Sequence, residues 1–279
     1  MDTLLLPTDF SATALNAGKY ALQLAAQLGA VRLVIYHSYE IPVTVDPMTP
    51  GFQMLDVDAL KTGSEQSLEQ FKLQLAPFAG NVDLLTYNEY GDLAEGLDEV
   101  CNKMHAGLVV MGITGGGLIE EKLIGSNTIS VAKHTSVPVI IVPPTAEFTR
   151  VEEIMLTSDF DKSDETVPVT LVRKIVNETK AKLFVFNIEE DVDEYATDYP
   201  GNQLQESYAL HKLLNDLQPE FHFSENTNYV EAVNDFAAEY QIDLIITIPK
   251  KHGFFGSLFS ESHTKKLAFH SKVPVMVIH

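Results

Sequence analysis

The chain contains an internal repeat, and this feature limits the folds open to it more than any other. Thr157–Phe160 (TSDF) matches Pro7–Phe10 (PTDF) at a separation of 150 residues, directly after an apolar run in each case. Val273–Met276 (VPVM) matches Val137–Ile140 (VPVI) at a separation of 136 residues. A repeat of about 140 residues is far longer than a solenoid unit, so it predicts two domains of one fold. The expected domains are residues 1–145 and 150–279, with Pro143–Thr145 as the linker.

Apolar runs alternate with amphipathic segments in the first copy. The predicted strands are residues 3–6, 31–36, 82–87, 108–111 and 138–142, and the predicted helices are 12–28, 58–75, 93–104 and 126–134. Strands that are apolar on both faces and alternate with helices are typical of a parallel sheet covered by helices. The predicted fold class is therefore α/β, with two tandem copies of an open parallel sheet and helices on both faces. Residues 41–57 form a long irregular stretch of a kind that is often functional.

The charge and composition exclude several classes of partner. The net charge is −20, with 7 Lys/Arg against 17 Asp/Glu through Glu147 and 12 against 22 beyond it. An acidic field on both halves disfavours nucleic acid and anionic membranes, because binding to them needs clustered cations. No apolar run reaches about 18 residues and Pro7 interrupts the first one, so neither a membrane span nor a signal peptide is predicted. The single Cys101 fits a reducing cytoplasm, which is the expected location.

A glycine-rich segment follows the fourth predicted strand. Its spacing is Gly112-x2-Gly115-x9-Gly125-Ser126. The glycines permit positive φ angles and let the backbone approach a ligand that a Cβ would block. The helix predicted after Gly125 offers unpaired N–H groups and the positive end of its dipole, which favour an anion. Ser126, Asn127 and Thr128 add hydrogen-bonding side chains at the same place, so the segment predicts a phosphate site.

The same residues allow several alternatives. The sequence has no G-x-x-x-x-G-K-[ST] motif, and Glu120 stands where the third glycine of a G-x-G-x-x-G motif would be. The glycines can also shape a turn without binding anything, and their spacing alone does not exclude that. Asp9 likewise has two interpretations. It can accept a hydrogen bond from a ribose hydroxyl or an adenine amino group, or it can satisfy free amides where the helix begins near Ser11.

Taken together, Pro7–Ser11 after the first strand and the glycine motif before a closing Val-Pro-Val strand resemble the universal stress protein family. The resemblance extends over nearly the whole chain, which is similar to a tandem member with two such domains. It implies a Rossmann-like open sheet of five parallel strands in each domain, in the order 3-2-1-4-5. It also implies nucleotide binding, because the family's ATP-binding branch carries this glycine motif.

The resemblance implies that ATP is the cofactor, with ADP and AMP as close competitors. The expected site comprises Pro7, Thr8 and Asp9 on the adenosine side, Ser38 and Met111 beside the adenine, and Gly112, Gly115, Gly116, Gly125, Ser126, Asn127 and Thr128 around the ribose and phosphates. Many family members have Arg or Lys where this chain has Gly116, so triphosphate binding should be weaker by about 1 kcal/mol or more. Lys122 is a candidate replacement for that cation. Asp9 or Glu120 would help to hold a Mg²⁺ that ATP brings.

The glycine motif is degraded in the second copy. Gly112, Gly115 and Gly125 map onto Ile248, Lys251 and Glu261, while Ser126 maps onto Ser262. An isoleucine blocks close backbone approach, and a glutamate places negative charge where phosphates would lie. This half is therefore not expected to bind ATP in the same way.

Three functional hypotheses follow. The first is a nucleotide-binding regulator or signalling module of the stress response with little or no turnover, because no base for γ-phosphate attack and no carboxylate pair for two metals stand out. The second is an enzyme of slow ATP hydrolysis or adenylyl transfer, and the third is an interaction scaffold that binds no nucleotide. The family commonly dimerises through its last strand, so Val139–Val142 and Val275–Ile278 are expected to pair as an internal pseudo-dimer. A monomer or a homodimer of tandem chains would result, and the sequence identifies no protein partner.

Overall fold

The structure, a computed structural model, describes residues 1–40, 57–113, 126–158, 167–188, 210–224, 228–248 and 263–279, without the side chains of residues 126 and 263–265. Its strands are β1 (Thr3–Pro7), β2 (Arg32–Tyr39), β3 (Asp83–Tyr90), β4 (Leu108–Gly112), β5 (Val139–Val142), β6 (Glu153–Thr157), β7 (Lys182–Ile188), β8 (Glu220–Ser224), β9 (Leu244–Thr247) and β10 (Val275–Val277). Its helices are α1 (Ala12–Leu28), α2 (Val57–Leu75), α3 (Leu93–Met104), α4 (Ser126–His134), α5 (Val169–Thr179), α6 (Tyr229–Glu239) and α7 (His263–His270), with 3-10 turns at Ala76–Phe78 and Asn215–Leu217. The irregular stretch predicted for residues 41–57 lies almost wholly outside the described residues.

The first five strands form a parallel sheet in the order β3-β2-β1-β4-β5, which confirms the expected order 3-2-1-4-5. The central strand β1 pairs with β2 as far as Pro7↔Tyr36, and with β4 on its other side. β2 was predicted to end at Tyr36 but continues to Tyr39, because it stays paired with β3 up to Tyr39↔Tyr90. The sequence pattern missed this extension since its last residues are polar or aromatic rather than aliphatic.

The second five strands repeat the arrangement, in the order β8-β7-β6-β9-β10. β5 and β10 then pair antiparallel, with Met276 opposite Ile140, so that the described strands form one ten-stranded sheet. Both strands are fully buried. Their pairing satisfies backbone groups that would otherwise lie along two open sheet edges. The two last strands therefore pair within the chain, as expected.

Helices cover both faces of the first sheet, as predicted. Leu4 and Leu6 point to one face, where they pack with α1 and α2. Leu5 points to the other face, in one cluster with Leu97 of α3 and Val131 of α4. Successive side chains of a strand alternate between faces, so one apolar run serves two cores. Each fully buried leucine stabilises the fold by about 1.5–3 kcal/mol.

The sequence specifies both ends of α1. Ser11 is the N-cap, and its Oγ accepts a hydrogen bond from the Ala14 N–H at 3.2 Å. Gly29 ends the helix with φ 70°, in the left-handed region that glycine adopts without a steric cost. The N-terminal turn of α1 is thereby placed at the carboxyl end of β1, immediately after Asp9.

The chain that joins the two copies, from the linker at Pro143 to Val151, packs against α1. Nδ2 of Asn16 donates to the Ala146 carbonyl at 2.9 Å, and the Tyr20 and Phe148 rings meet edge to face at 5.2 Å. Gln27 bonds to both backbone groups of Val151, each at 2.9 Å. The apolar cluster on this side extends from the first copy into the second. The two copies thus share a core, and the linker forms part of it.

Neither a membrane-spanning helix nor a cluster of metal ligands occurs in the described ranges. No helix in them is both long and apolar enough to cross a membrane. No group of three or more His, Cys, Asp or Glu side chains that could hold a metal occurs in the same ranges. Cys101 is buried, and burial raises the pKa of its thiol to about 12, so it is a protonated core side chain at neutral pH.

Candidate functional site

The candidate site lies at the carboxyl ends of β1, β2 and β4, which are neighbours in the sheet. Pro7 ends β1 opposite Tyr36 of β2, and the next residue, Thr8, donates its N–H to the Tyr36 carbonyl at 2.8 Å. By strand alternation, Pro7 and Ser38 lie on the same face as Tyr36 and Met111, which is the face covered by α3 and α4. Open parallel sheets bind ligands at this edge.

The turn from β1 into α1 presents Asp9. The Oγ1 of Thr8 accepts from the Phe10 N–H at 2.9 Å, and Oδ1 of Asp9 accepts from the Ser11 N–H at 3.0 Å. Asp9 therefore does serve the start of the helix. Its side chain is nevertheless exposed, and a carboxylate accepts up to about four hydrogen bonds. The helix-start role leaves acceptor capacity for a ligand, so the two interpretations of Asp9 are compatible.

Ser38 and Met111 lie on β2 and β4, the two strands that flank β1. Oγ of Ser38 donates to the Gly91 carbonyl, so its one proton is committed and it can only accept from a ligand. Met111 is buried in the cluster beneath α3 and α4. Tyr36, beside Ser38, is also buried, and this burial is the main reason that the pKa of its phenol rises to about 12. Met111 and Tyr36 therefore belong to the core at this edge, whereas Ser38 is only partly buried.

Gly112 has a different backbone conformation from the one predicted. It continues β4 opposite Val142 and is not among the glycines with a positive φ, so the expected left-handed turn at this position is wrong. A Cβ on Gly112 would lie 2.5 Å from the carbonyl oxygen and 2.8 Å from the carbonyl carbon of Thr13. The first turn of α1 therefore requires glycine here. The backbone of α1 is therefore what approaches Gly112 closely, where the sequence predicted the close approach of a ligand.

The start of α4 is tied to the end of β4. Oγ1 of Thr128 donates to the Gly112 carbonyl at 2.9 Å, and the Thr128 side chain is buried. Its proton is thus used within the protein, whereas Asn127 is exposed in the same first turn. The other expected phosphate-site residues, Gly115, Gly116, Gly125 and the side chain of Ser126, lie outside the described residues, as do Glu120 and Lys122.

His37 is a residue of this edge that the sequence did not single out. Its Nδ1 lies 2.8 Å from Oγ of Ser64 on α2, and its ring centroid lies 4.6 Å from that of Phe10. Burial lowers the pKa of His37, while the nearby Asp9 acts in the opposite sense. The imidazole is therefore neutral at pH 7. The sequence offered one signal for His37, which is that a polar residue directly follows an apolar strand. No pattern indicated its partner Ser64, which lies 27 positions away.

The second domain closes the equivalent edge with its own side chains. Thr157 stands where the first domain has Pro7, and its Oγ1 accepts a hydrogen bond from the Tyr229 hydroxyl at 3.1 Å. Thr157 in turn donates to the Ile246 carbonyl at 3.3 Å. Tyr229 begins α6, where α3 of the first domain begins with Leu93. A phenol thus spans the strand end and the helix start in the second domain.

Ile248 stands where the first domain has Gly112. It is half-buried and packs against the core on the α5 side. In the first domain a side chain here would strike the α1 turn at Thr13. The residues of the second domain that correspond to Thr13 and Ala14 lie outside the described residues. Lys251, Glu261 and Ser262, the other mapped positions, lie outside the described residues.

Comparison with known proteins gives a consistent result. The model of the universal stress protein family matches residues 1–143 and 154–279. A universal stress protein of Methanocaldococcus jannaschii is 29% identical over 139 residues, which are 50% of this chain and 80% of that protein. The solved structure of a universal stress protein from Archaeoglobus fulgidus is 18% identical, covers 99% of this chain and 95% of that one, and has a TM-score of 0.71. A universal stress protein solved in complex with cAMP is 26% identical, covers 50% of this chain and 96% of that one, and has a TM-score of 0.39.

Proposed function

The chain belongs to the universal stress protein family, and from this premise we propose that its first domain binds ATP, with ADP and AMP as competing ligands. The proposed role is that of a regulator or signalling module of the stress response with little or no turnover. The proposed location is the cytoplasm. The proposed site is the edge formed by Pro7, Thr8, Asp9, Ser38, Met111 and Gly112 together with the start of α4.

One observation carries the proposal. The hydrogen bond from Thr128 to the Gly112 carbonyl holds the first turn of α4 against the end of β4. The N–H groups of that turn, which have no partner within the helix itself, therefore lie on the sheet edge that also carries the exposed Asp9 carboxylate. A nucleotide needs both parts together, because N–H groups bind its phosphates and an acceptor binds its ribose or adenine.

Local dipoles must hold the phosphates, because the chain has a net charge of −20. The N-terminus of a helix attracts an anion at short range even where the overall field repels it. A Mg²⁺ bound to the phosphates would offset part of that repulsion. The Asp9 carboxylate has the oxygen ligands that Mg²⁺ prefers.

The second domain is proposed not to bind ATP. Its strand edge is spanned by the hydrogen bond between Tyr229 and Thr157, and Ile248 replaces the glycine at the end of the fourth strand. The Tyr229 side chain reaches the position that corresponds to Pro7, where the first domain is proposed to hold adenosine. One nucleotide per chain is therefore expected.

Thermal unfolding with added nucleotide tests the proposal. A ligand at about 100 times its Kd stabilises the folded state by about 2.7 kcal/mol, which for a chain of this size raises Tm by about 5 °C. ATP, ADP, AMP and cAMP are titrated separately to rank them. Gly125→Glu, which copies the second domain, should abolish the shift and leave the Tm of the free protein nearly unchanged. The absence of a shift with every nucleotide at millimolar concentration would rule out the proposal and favour a pure scaffold.

Turnover separates a binding module from an enzyme. Radiolabelled ATP is incubated with the protein, and released phosphate and AMP are measured over hours. We expect release far slower than about 1 s⁻¹, the low end of ordinary enzyme rates. Product release at ordinary rates that is lost in Asp9→Ala would replace the binding module with an enzyme.

A further inference from the structure

The turn before α1 contains a backbone conformation that its residue type rarely adopts. Phe10 has φ 65°, in the left-handed region where most side chains are disfavoured. Four other described non-glycine residues have a positive φ, and each comes directly after a helix or within two residues of its end. They are His105, Lys180, Gln218 and Gln241. A left-handed residue is ordinary at the end of a helix. Phe10 alone among these described residues precedes a helix.

Ring contacts hold Phe10 in this conformation. Its ring lies 4.6 Å from the His37 ring and 5.9 Å from the Phe71 ring, centroid to centroid. Phe71 is buried within the cluster beneath α1 and α2. The hydrogen bond between Nδ1 of His37 and Oγ of Ser64 fixes the imidazole against α2. The Phe10 side chain is therefore anchored on the α1–α2 face, away from the face that carries Ser38 and Met111.

The reversal at Phe10 determines where the carboxylate of Asp9 lies. Because the chain turns at Phe10, the N–H of Ser11 folds back to Oδ1 of Asp9 at 3.0 Å. The Phe10 N–H is bonded to Oγ1 of Thr8 in the same turn. Asp9 is thus held between two anchored neighbours and stays exposed at the end of β1. Strained conformations that the surroundings impose are concentrated at functional sites.

We propose that Phe10 is a positioning residue for nucleotide binding, which acts by holding the Asp9 carboxylate at the strand edge and does not contact the ligand. This inference rests on the proposed function of the first domain. It assigns the strained turn and its ring contacts to ligand binding rather than to stability alone. Loss of the ring should release the turn and let Asp9 move away from the ribose or the adenine amino group.

A double-mutant cycle tests the inference. ATP affinity is measured by calorimetry for the wild type, Phe10→Ala, Asp9→Asn and the double variant. We expect Phe10→Ala to weaken binding about tenfold when Asp9 is present, as for the loss of one hydrogen bond to a charged group. In the Asp9→Asn background the same change should have less than about twofold effect, because the interaction that Phe10 supports is already weakened.

Two further variants keep the test decisive. Phe148→Ala removes another partly buried ring, the one that packs on Tyr20, and should lower Tm without changing ATP affinity. Phe10→Gly removes the ring and the backbone strain together, and should lose affinity as Phe10→Ala does even if it folds more stably. Wild-type affinity in Phe10→Gly, or an equal loss in both Asp9 backgrounds, would overturn the positioning role while leaving the proposed function intact. A wild-type protein that binds no nucleotide would instead remove the proposed function, and the inference with it.

Discussion

Gly112→Ala is the change for which the structure gives the clearest magnitude. The new Cβ would lie 2.5 Å from the Thr13 carbonyl oxygen, 2.8 Å from its carbon and 3.2 Å from the nitrogen of Ala14. An ordinary contact is at least about 3.4 Å, so α1 and β4 would have to separate by nearly 1 Å. These are backbone atoms of a helix that packs on a buried core, so no side chain can swing aside. Overpacking of this kind costs about 1–3 kcal/mol, equivalent to a Tm loss of about 2–5 °C for this chain length.

The assay is thermal and urea unfolding, with Gly63→Ala as the matched control. Gly63 lies on an exposed part of α2, and a Cβ there would meet nothing within 4 Å. The same substitution should therefore stabilise the protein by about 0.5–1 kcal/mol, because alanine is the better helix former. Gly112→Ala should also weaken ATP binding, because moving β4 displaces the carbonyl of residue 112, which accepts the hydrogen bond from Thr128 at the start of α4. A Gly112→Ala protein as stable as the wild type would refute the claim that the α1 backbone requires glycine.

Three further predictions concern other parts of the molecule. Gln27→Ala should lower the free energy of unfolding by about 1–3 kcal/mol, because it leaves two buried backbone groups of Val151 without their partner. Urea unfolding measures the loss and should remain a single transition. The pKa of His37 lies below 6.5 in the folded state, so its contribution to stability is present above pH 6.5 and is lost as the pH falls below that. The urea midpoint of the wild type should therefore fall more from pH 8 to pH 5 than that of His37→Asn. Tyr229→Phe should lower the free energy of unfolding by about 1 kcal/mol, because it removes the hydrogen bond to Thr157, and it should leave ATP affinity unchanged. A change in ATP affinity would place the nucleotide in the second domain.

Much of the fold was predictable because it depends on local patterns. Apolar runs of four to six residues specify buried strands, and Ser11 and Gly29 mark the ends of α1. The repeat at 150 and 136 residues required two copies of one domain. The apolar last strands predicted the pairing that joins the two sheets, which β5 and β10 make.

The candidate site was less predictable, because its residues act through neighbours distant in sequence. The glycine spacing identified Gly112, but only the packing of α1 shows that Thr13, about 100 positions earlier, is what excludes a side chain there. Thr128 was expected to donate to a phosphate, and instead it donates to the Gly112 carbonyl. No sequence pattern predicts that Tyr229 of a helix will reach Thr157 of a strand.

The sequence by itself determined the class of the protein: two α/β domains, one with an intact glycine motif and one without. It could do so because periodicity, caps and glycine spacing are properties of short segments. The tertiary structure decided what each site residue does. It fixed the left-handed turn at Phe10, the role of Asp9 at the helix start, and the shared core beneath the linker. These features depend on contacts between segments that only the folded sheet brings together.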